Sequence, residues 1–171
     1  MKGFIWLLAL SSLVLIPFGM QAQAQPEEVG EAVTTTYKVT SKALPLEEGR
    51  VRMNYEGTGL AVTSTGEGLF HGATVRTLGG MSMEKGVFNN ERSWGVWTLQ
   101  DGDKVFFTAA FAGEAKPGGV GEANGMVTIT GGTGKCAGIQ GSFPVTRYTG
   151  GPAVEGVTQS YVKATIIYTL P

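Results

Sequence analysis

Hydrophobic residues recur at every second position along most of this chain, and this period strongly restricts its fold. In the last such run Val162, Ala164 and Ile166 share one face, and the intervening residues share the other. A period of two is typical of a β-strand, because successive side chains point to opposite faces of a sheet. The pattern predicts about eight strands, at residues 36–43, 50–63, 69–83, 87–99, 104–111, 126–130, 142–148 and 161–170.

We expect these strands to form an all-β fold, a closed antiparallel barrel of about eight strands. Turn-forming sequences separate the runs, and Asp101-Gly102 is typical of a tight hairpin. Closure leaves no free strand edge for aggregation, and glycines scattered along the strands suit the bends of a barrel. A sandwich of two sheets is the alternative, because alternation alone does not distinguish the two architectures.

The N-terminal residues have the features of a cleaved export signal. Lys2 precedes a mostly apolar run at 4–18, and Ala22-Gln23-Ala24 supplies the small residues that a signal peptidase needs. We expect a Sec-type signal at 1–24, cleavage after Ala24, and a periplasmic or secreted protein without integral membrane association. The alternative is an uncleaved anchor, for which the run is short. Residues 25–35 are expected to form a flexible arm, and 36–171 a single barrel domain.

Charge and cysteine content argue against several classes of function. The formal net charge is −1, and removal of Lys2 would make it one unit more negative. A nearly neutral chain has no electrostatic attraction for nucleic acid or for an anionic membrane. The single cysteine, Cys136, excludes an internal disulfide. The single histidine, His71, lies far from it in sequence, so no metal-ligand spacing is present. We expect neither metal nor cofactor.

The glycine-rich segment 131–141 resembles nucleotide-binding loops only superficially. A phosphate-binding P-loop needs a glycine where Ile129 stands, and serine or threonine where Cys136 stands. A dinucleotide fingerprint would have to open a helix, whereas another strand-like run follows here. We therefore interpret the segment as a tight connection between strands, with a single helical turn around 135–139 and Cys136 or Ile139 packed inward.

Three segments resemble those of a known family. VTITGGTGKCAGIQG (127–141) is similar to the strand-then-glycine segment of allene oxide cyclase and dirigent-like β-barrels, which commonly have an aromatic residue where Cys136 stands. HGATVRTLGG (71–80) and DGDKVFF (101–107) resemble uncharacterised bacterial exported proteins with the same barrel. The resemblance implies a calycin-like closed barrel, a hydrophobic cavity and a homo-oligomer. The catalytic residues of the plant proteins do not align with this sequence.

Three residues are candidates for a site inside the barrel. His71 alternates with Leu69 and Ala73, so it is expected to face the interior, where it could be catalytic or bind a ligand. Glu91 shares a face with Trp97 and could act as an acid, while Trp97 could line a ligand cavity. The alternatives are a histidine that serves only packing and a glutamate that faces solvent.

Three functions are compatible with the sequence. The leading one is an exported barrel that binds a small apolar ligand in its interior. The second is a cofactor-free cyclase or isomerase, in which His71 and Glu91 would transfer protons. The third is a structural or interaction protein with a filled barrel. Residues 94–97 and 105–111 are apolar on both faces, which favours a homo-oligomer. An outer-membrane barrel is disfavoured by charged residues such as Arg50 and Arg52 within the strands.

Overall fold

The computed structural model describes residues 27–171, and nearly all of them belong to β-strands. Two short 3₁₀ turns, Pro117–Gly119 and Gly134–Cys136, lie in connections between strands. The strands are β1 (Glu28–Glu47), β2 (Arg50–Thr63), β3 (Thr74–Glu84), β4 (Val87–Thr98), β5 (Lys104–Ala115), β6 (Gly121–Gly132), β7 (Gly141–Val154) and β8 (Val157–Thr169).

The eight strands form a closed barrel in which each strand is antiparallel to the next along the chain. β8 closes the ring by pairing with β1, from Glu28 opposite Thr169 to Thr40 opposite Val157. The predicted all-β closed barrel is confirmed, and the alternative of a two-sheet sandwich is wrong. The Asp101-Gly102 hairpin is also present, and Gly102 has the positive φ of 93° that favours glycine.

Two boundaries differ from those expected. Residues 28–35, expected to lie in a flexible arm, are the first part of β1; this expectation is wrong because their backbone pairs with β8 and completes the ring. Residues 69–73, expected to be strand, lie in the connection before β3. Leu69 and Phe70 bond to a side chain instead, since Glu31 accepts hydrogen bonds from their backbone N–H groups, at 2.9 and 3.2 Å. The predicted signal at 1–24 lies outside the described residues.

The connection between β2 and β3 plugs one end of the barrel with Phe70. The Phe70 side chain is fully buried, and its ring meets Trp97 and Tyr168 edge-on, with centroids 5.2 and 5.6 Å apart. The Tyr168 hydroxyl donates a hydrogen bond to the same Glu31 carboxylate, at 2.6 Å. Burial, followed by this bond, raises the pKa of Tyr168. Glu31 therefore ties the plug to the last strand.

The glycine-rich connection between β6 and β7 covers the same end. Cys136 and Ile139 are both buried there, and burial raises the pKa of the Cys136 thiol. The backbone N–H of Lys135 donates to Asp103 Oδ2 (2.9 Å), and Lys135 Nζ lies 2.5 Å from Asp101 Oδ2. These contacts attach the segment to the β4–β5 hairpin, so it is a connection between strands, as we interpreted it from the sequence.

The opposite end of the barrel is formed by the β1–β2, β3–β4, β5–β6 and β7–β8 connections. The barrel interior is apolar towards the plugged end and contains polar groups further along its length. The buried apolar residues of the core include Val33, Ala61, Val75, Trp97, Leu99, Val105, Phe107, Ala109, Phe111, Val127, Ile129, Phe143, Val145 and Ile166.

Candidate functional site

The barrel interior contains two adjoining chambers. The inner chamber, of about 60 Å³, lies towards the plugged end and is walled by apolar side chains such as Trp97, Phe107 and Phe143. The outer chamber, of about 190 Å³, extends towards the opposite rim. Val39, Tyr55, Arg147 and Ser160 line both chambers. The interior is therefore an apolar space with a few polar groups at its middle, the composition that small-molecule sites typically have.

A bulge in β4 places Glu91 inside the barrel. Phe88 pairs with Gly113 and Glu91 with Phe111, so three steps along β4 match two along β5. This shift lets both Phe88 and Glu91 point inward, although they are three residues apart. The Glu91 side chain is fully buried. A buried carboxylate requires a partner, because burial removes its hydration.

Arg147, on β7, is that partner. Its Nη1 and Nη2 donate hydrogen bonds to Glu91 Oε1 and Oε2, at 2.5 and 2.7 Å. The guanidinium also lies over the Phe111 ring, 4.7 Å from the centroid, a distance suited to a cation–π contact. Burial alone would lower the pKa of Arg147, but the hydrogen bonds and charge of Glu91 outweigh it and raise the pKa. The two residues form a bidentate, mutually neutralising pair.

Tyr55, on β2, completes this buried cluster from the other side. Its hydroxyl donates a 2.5 Å hydrogen bond to Glu91 Oε1. Burial and the adjacent Glu91 carboxylate raise the pKa of Tyr55, although Arg147 and a hydrogen bond with Ser93 oppose the shift. Burial likewise raises the pKa of Tyr37, which lines the inner chamber. Both tyrosines therefore stay protonated at neutral pH, and Glu91 takes up the one hydroxyl proton that Tyr55 can donate.

Two glycines leave room for side chains of the cluster around Glu91. A Cβ at Gly79, on β3, would lie 2.6 Å from Tyr55 Oη and 2.7 Å from Ser93 Cβ. A Cβ at Gly125, on β6, would lie 2.5 Å from the Phe111 ring, over which Arg147 passes. Such distances are too short for any larger residue without rearrangement. Tyr55 thus crosses β3 where a side chain is absent, and Gly125 leaves space for the Phe111 ring, over which the Arg147 guanidinium lies.

Two residues that line the chambers each carry a buried polar atom that has no hydrogen-bond partner within residues 27–171. The two atoms are Trp97 Nε1 and Ser160 Oγ. Trp97, 4% exposed, packs against Phe107 with ring centroids 4.1 Å apart and lines the inner chamber. Ser160, 8% exposed, lines both chambers. Buried polar groups in proteins are nearly always paired, so two unpaired donors in a cavity wall call for an explanation.

Three methionines line the outer chamber. Met53 is directly opposite Met81 in the pairing of β2 with β3, and Met83 follows two residues later on the same face. Methionine side chains are unbranched and adapt to irregular shapes. This wall can therefore adjust to the shape of a molecule in the outer chamber.

The three residues singled out from the sequence have different positions. Trp97 lines the inner chamber, and Glu91 lies behind Arg147 and Tyr55, outside the lining of either chamber. His71 lies in the β2–β3 connection at the plugged end, where its Nδ1 is 3.1 Å from Thr63 Oγ1. It lines neither chamber, so His71 and Glu91 are not brought together. Both oxygens of Glu91 are already hydrogen-bonded, so this carboxylate serves to hold Arg147.

Sequence reasoning missed Tyr55, Arg147 and Ser160. The signal for Arg147 was present, since it alternates with Phe143 and Val145 on the buried face of β7. A charged residue on an otherwise apolar strand face needs a buried partner. Glu91 is the acidic residue that the alternation places on an interior face, so the sequence contains the signal for an ion pair between Glu91 and Arg147.

Comparison with other proteins does not assign this chain to a family. The chain matches no protein-family model and no curated protein. Within residues 27–171, His, Cys, Asp and Glu side chains form no group of three or more that could hold a metal ion. No helix in that part of the chain is long and apolar enough to cross a bilayer. Any functional conclusion therefore depends on the interior itself.

Proposed function

We propose that this protein binds a small, mainly apolar molecule inside its barrel. The observation that carries the proposal is the pair of adjoining chambers, about 60 and 190 Å³, which the core side chains leave unfilled. A barrel of eight strands is just wide enough to be filled by side chains or to hold one small ligand. A protein with a purely structural role would gain stability by filling this space, because unfilled volume weakens packing.

The polar cluster supports binding better than catalysis. The cyclase or isomerase alternative requires proton transfer by His71 and Glu91, but His71 lies at the plugged end and Glu91 is enclosed by Arg147 and Tyr55. The cluster instead gives the chamber wall a fixed shape. The resemblance to allene oxide cyclase and dirigent-like barrels, with their hydrophobic cavity, is consistent with this proposal.

The site of action that we propose is outside the cytoplasm, in the periplasm or secreted, after cleavage behind Ala24. The apolar run at 4–18 and the small residues that follow it support this. Intact mass and N-terminal sequencing of the protein recovered from the export compartment test it. A mature N-terminus at Gln25 is the expected result, and recovery with 1–24 attached would contradict it.

A homo-oligomer is part of the same proposal, formed through the outer face of β3–β6. Leu78 and Trp94 are directly opposite each other there and are 50% and 64% exposed. Phe106 on β5 and Met126 on β6 extend this apolar face. A second copy would bury the same patch on both subunits, as a two-fold interface requires.

Native mass spectrometry of the protein, expressed from its full-length sequence, tests ligand binding. We expect an additional mass per subunit that denaturation releases, or saturable uptake of butylbenzene measured by calorimetry. Ala109→Leu should reduce binding, because Ala109 lines the inner chamber and the larger side chain occupies it. The matched control is Ala112→Leu on the exposed face of β5. Absence of both retained mass and uptake in a folded wild-type protein would refute the proposal.

A further inference from the structure

Trp97 Nε1 and Ser160 Oγ indicate what kind of polar group the ligand carries. Both atoms belong to residues that line the inner chamber, and both are buried without a hydrogen-bond partner within the described part of the chain. An indole nitrogen donates a hydrogen bond and accepts none, so Trp97 can only be satisfied by an acceptor. A serine hydroxyl can donate to an acceptor as well. A purely hydrocarbon ligand would leave both groups unpaired.

The charges around the chambers disfavour an anion. Among residues 27–171, Arg147 is the sole cationic residue that lines either chamber, and its two terminal nitrogens donate hydrogen bonds to the carboxylate of Glu91. The pair is therefore neutral as a whole. The other charged residues lining the chambers are Glu114 and Glu122, which are directly opposite each other near the outer rim. A carboxylate ligand would lose its hydration here without meeting a free positive charge.

We propose that the ligand is a neutral, mainly apolar molecule with one or two acceptor oxygens, such as an ester or a ketone. Its apolar part occupies the inner chamber, and its oxygen accepts hydrogen bonds from Trp97 Nε1 and Ser160 Oγ. This inference rests on the proposed ligand-binding function and adds the chemical class of the ligand. It also gives Glu91 a role in specificity, because Glu91 cancels the charge by which Arg147 would otherwise attract acids.

Three probes of equal heavy-atom count test the chemical class. Methyl heptanoate and octanoic acid are isomers that differ in charge at neutral pH, and butylbenzene lacks an oxygen. Calorimetry on the wild-type protein measures the affinity of each. We expect methyl heptanoate to bind about tenfold more tightly than octanoate, or better. Octanoate binding as tightly as its isomer would overturn the inference and leave the proposed function standing.

Substitution of the two donors separates hydrogen bonding from apolar contact. Trp97→Phe and Ser160→Ala should each weaken methyl heptanoate binding by about fivefold to tenfold, and butylbenzene binding by about twofold or less. The controls are Trp94→Phe on the exposed face of the same strand and Ser142→Ala on the exposed face of β7. Equal losses for the two probes would mean that water or packing satisfies the donors, and the inference would be wrong.

The indole N–H resonance of Trp97 gives a direct readout that does not depend on affinity. It is assigned by its loss in Trp97→Phe, and the Trp94 indole serves as an internal control. Methyl heptanoate should move the Trp97 signal downfield, as a new hydrogen bond does, while butylbenzene should not. Similar shifts with both probes would contradict the inference. If none of the three probes binds to the folded protein, the inference fails, and the proposed function fails with it when native mass spectrometry also finds no retained mass.

Discussion

Arg147 on β7 holds both carboxylate oxygens of Glu91 on β4, with Nη–Oε distances of 2.5 and 2.7 Å. Two strands, β5 and β6, separate them along the barrel wall. Arg147 lines both chambers and its side chain is 16% exposed, whereas Glu91 lies behind it and is fully buried. The pair joins β4 to β7 across the barrel interior. We therefore expect the free energy of unfolding to fall when one partner is removed.

Glu91→Ala should lower the free energy of unfolding by about 3–5 kcal/mol, because it leaves a buried guanidinium without a counter-charge. Urea denaturation measures the change. The double substitution Glu91→Ala with Arg147→Met should cost less than Glu91→Ala alone, since no charge is then left unpaired. Glu56→Ala is the control, because its pair with Arg76 is exposed and should contribute less than about 1 kcal/mol. Equal effects at Glu91 and Glu56 would contradict the buried pair.

Gly79→Ala should destabilise the barrel by about 1–3 kcal/mol, because the new methyl group would overlap Tyr55 Oη and Ser93 Cβ. Gly30→Ala, on β1, is the matched control: its Cβ would meet only Thr165 Cγ2, at an ordinary 3.5 Å. Thermal unfolding compares the two. If alanine at Gly79 were tolerated as well as alanine at Gly30, the close approach of Tyr55 to Gly79 would be contradicted.

Alkaline pH should destabilise the protein through Tyr37 and Tyr55. Burial raises the pKa of both above the ordinary value of 10.0. Between the ordinary and the raised pKa, the folded state keeps protons that the unfolded state loses. The contribution of these tyrosines to the free energy of unfolding is therefore complete below about pH 10. It is lost as the pH rises above that value, by up to about 1.4 kcal/mol per pH unit for each tyrosine. Denaturation at several pH values should show a shallower fall in Tyr37→Phe, and an unchanged slope would refute the assignment.

Trp94→Lys should dissociate the proposed oligomer, because it places a charge in the middle of the apolar face of β3–β6. Light scattering coupled to size-exclusion chromatography measures the subunit number. Val154→Lys is the control, since Val154 is 63% exposed in the β7–β8 hairpin, comparable to the 64% of Trp94. We expect the control to assemble like the wild type. A wild-type protein that is monomeric at micromolar concentration would rule out assembly.

Ser160→Ala should leave the free energy of unfolding of the ligand-free protein unchanged or raise it by about 1 kcal/mol, because a buried hydroxyl without a partner is removed. Ser93→Ala is the comparison: Ser93 is also buried, but its hydroxyl hydrogen-bonds to Tyr55. Loss of the Ser93 hydroxyl should lower the free energy of unfolding by about 1 kcal/mol. Chemical denaturation distinguishes the two, and equal destabilisation would mean that Ser160 has a structural partner.

The barrel itself was predictable from the chain. Period-two runs gave strands β2 and β4 with nearly correct bounds, and the Asp101-Gly102 hairpin was recognised from its residue types. The errors occurred where local composition misled: residues 28–35 look like a polar arm, and 69–73 look like strand. Pairing with β8 orders the first, and hydrogen bonds to Glu31 hold part of the second outside the sheet.

The candidate site was only partly predictable. The alternation placed Trp97 and Glu91 on an interior face, and the structure has both there. It also placed His71 inward, but His71 lies in a connection whose backbone follows the plug rather than a strand. Tyr55 and Ser160 carry no local signal, because a tyrosine or a serine in an alternating strand is compatible with either face.

Sequence alone determined the elements that depend on local chemistry: strands from alternation, turns from glycine, and an interior that is mostly apolar. Tertiary structure decided which residues meet. Glu91, Arg147 and Tyr55 come from three strands, and their contact depends on ring closure, on the β4 bulge and on the space left at Gly79. Such contacts join residues far apart in sequence, so no short-range pattern encodes them. The unfilled chambers likewise arise from how all eight strands close together, not from any one of them.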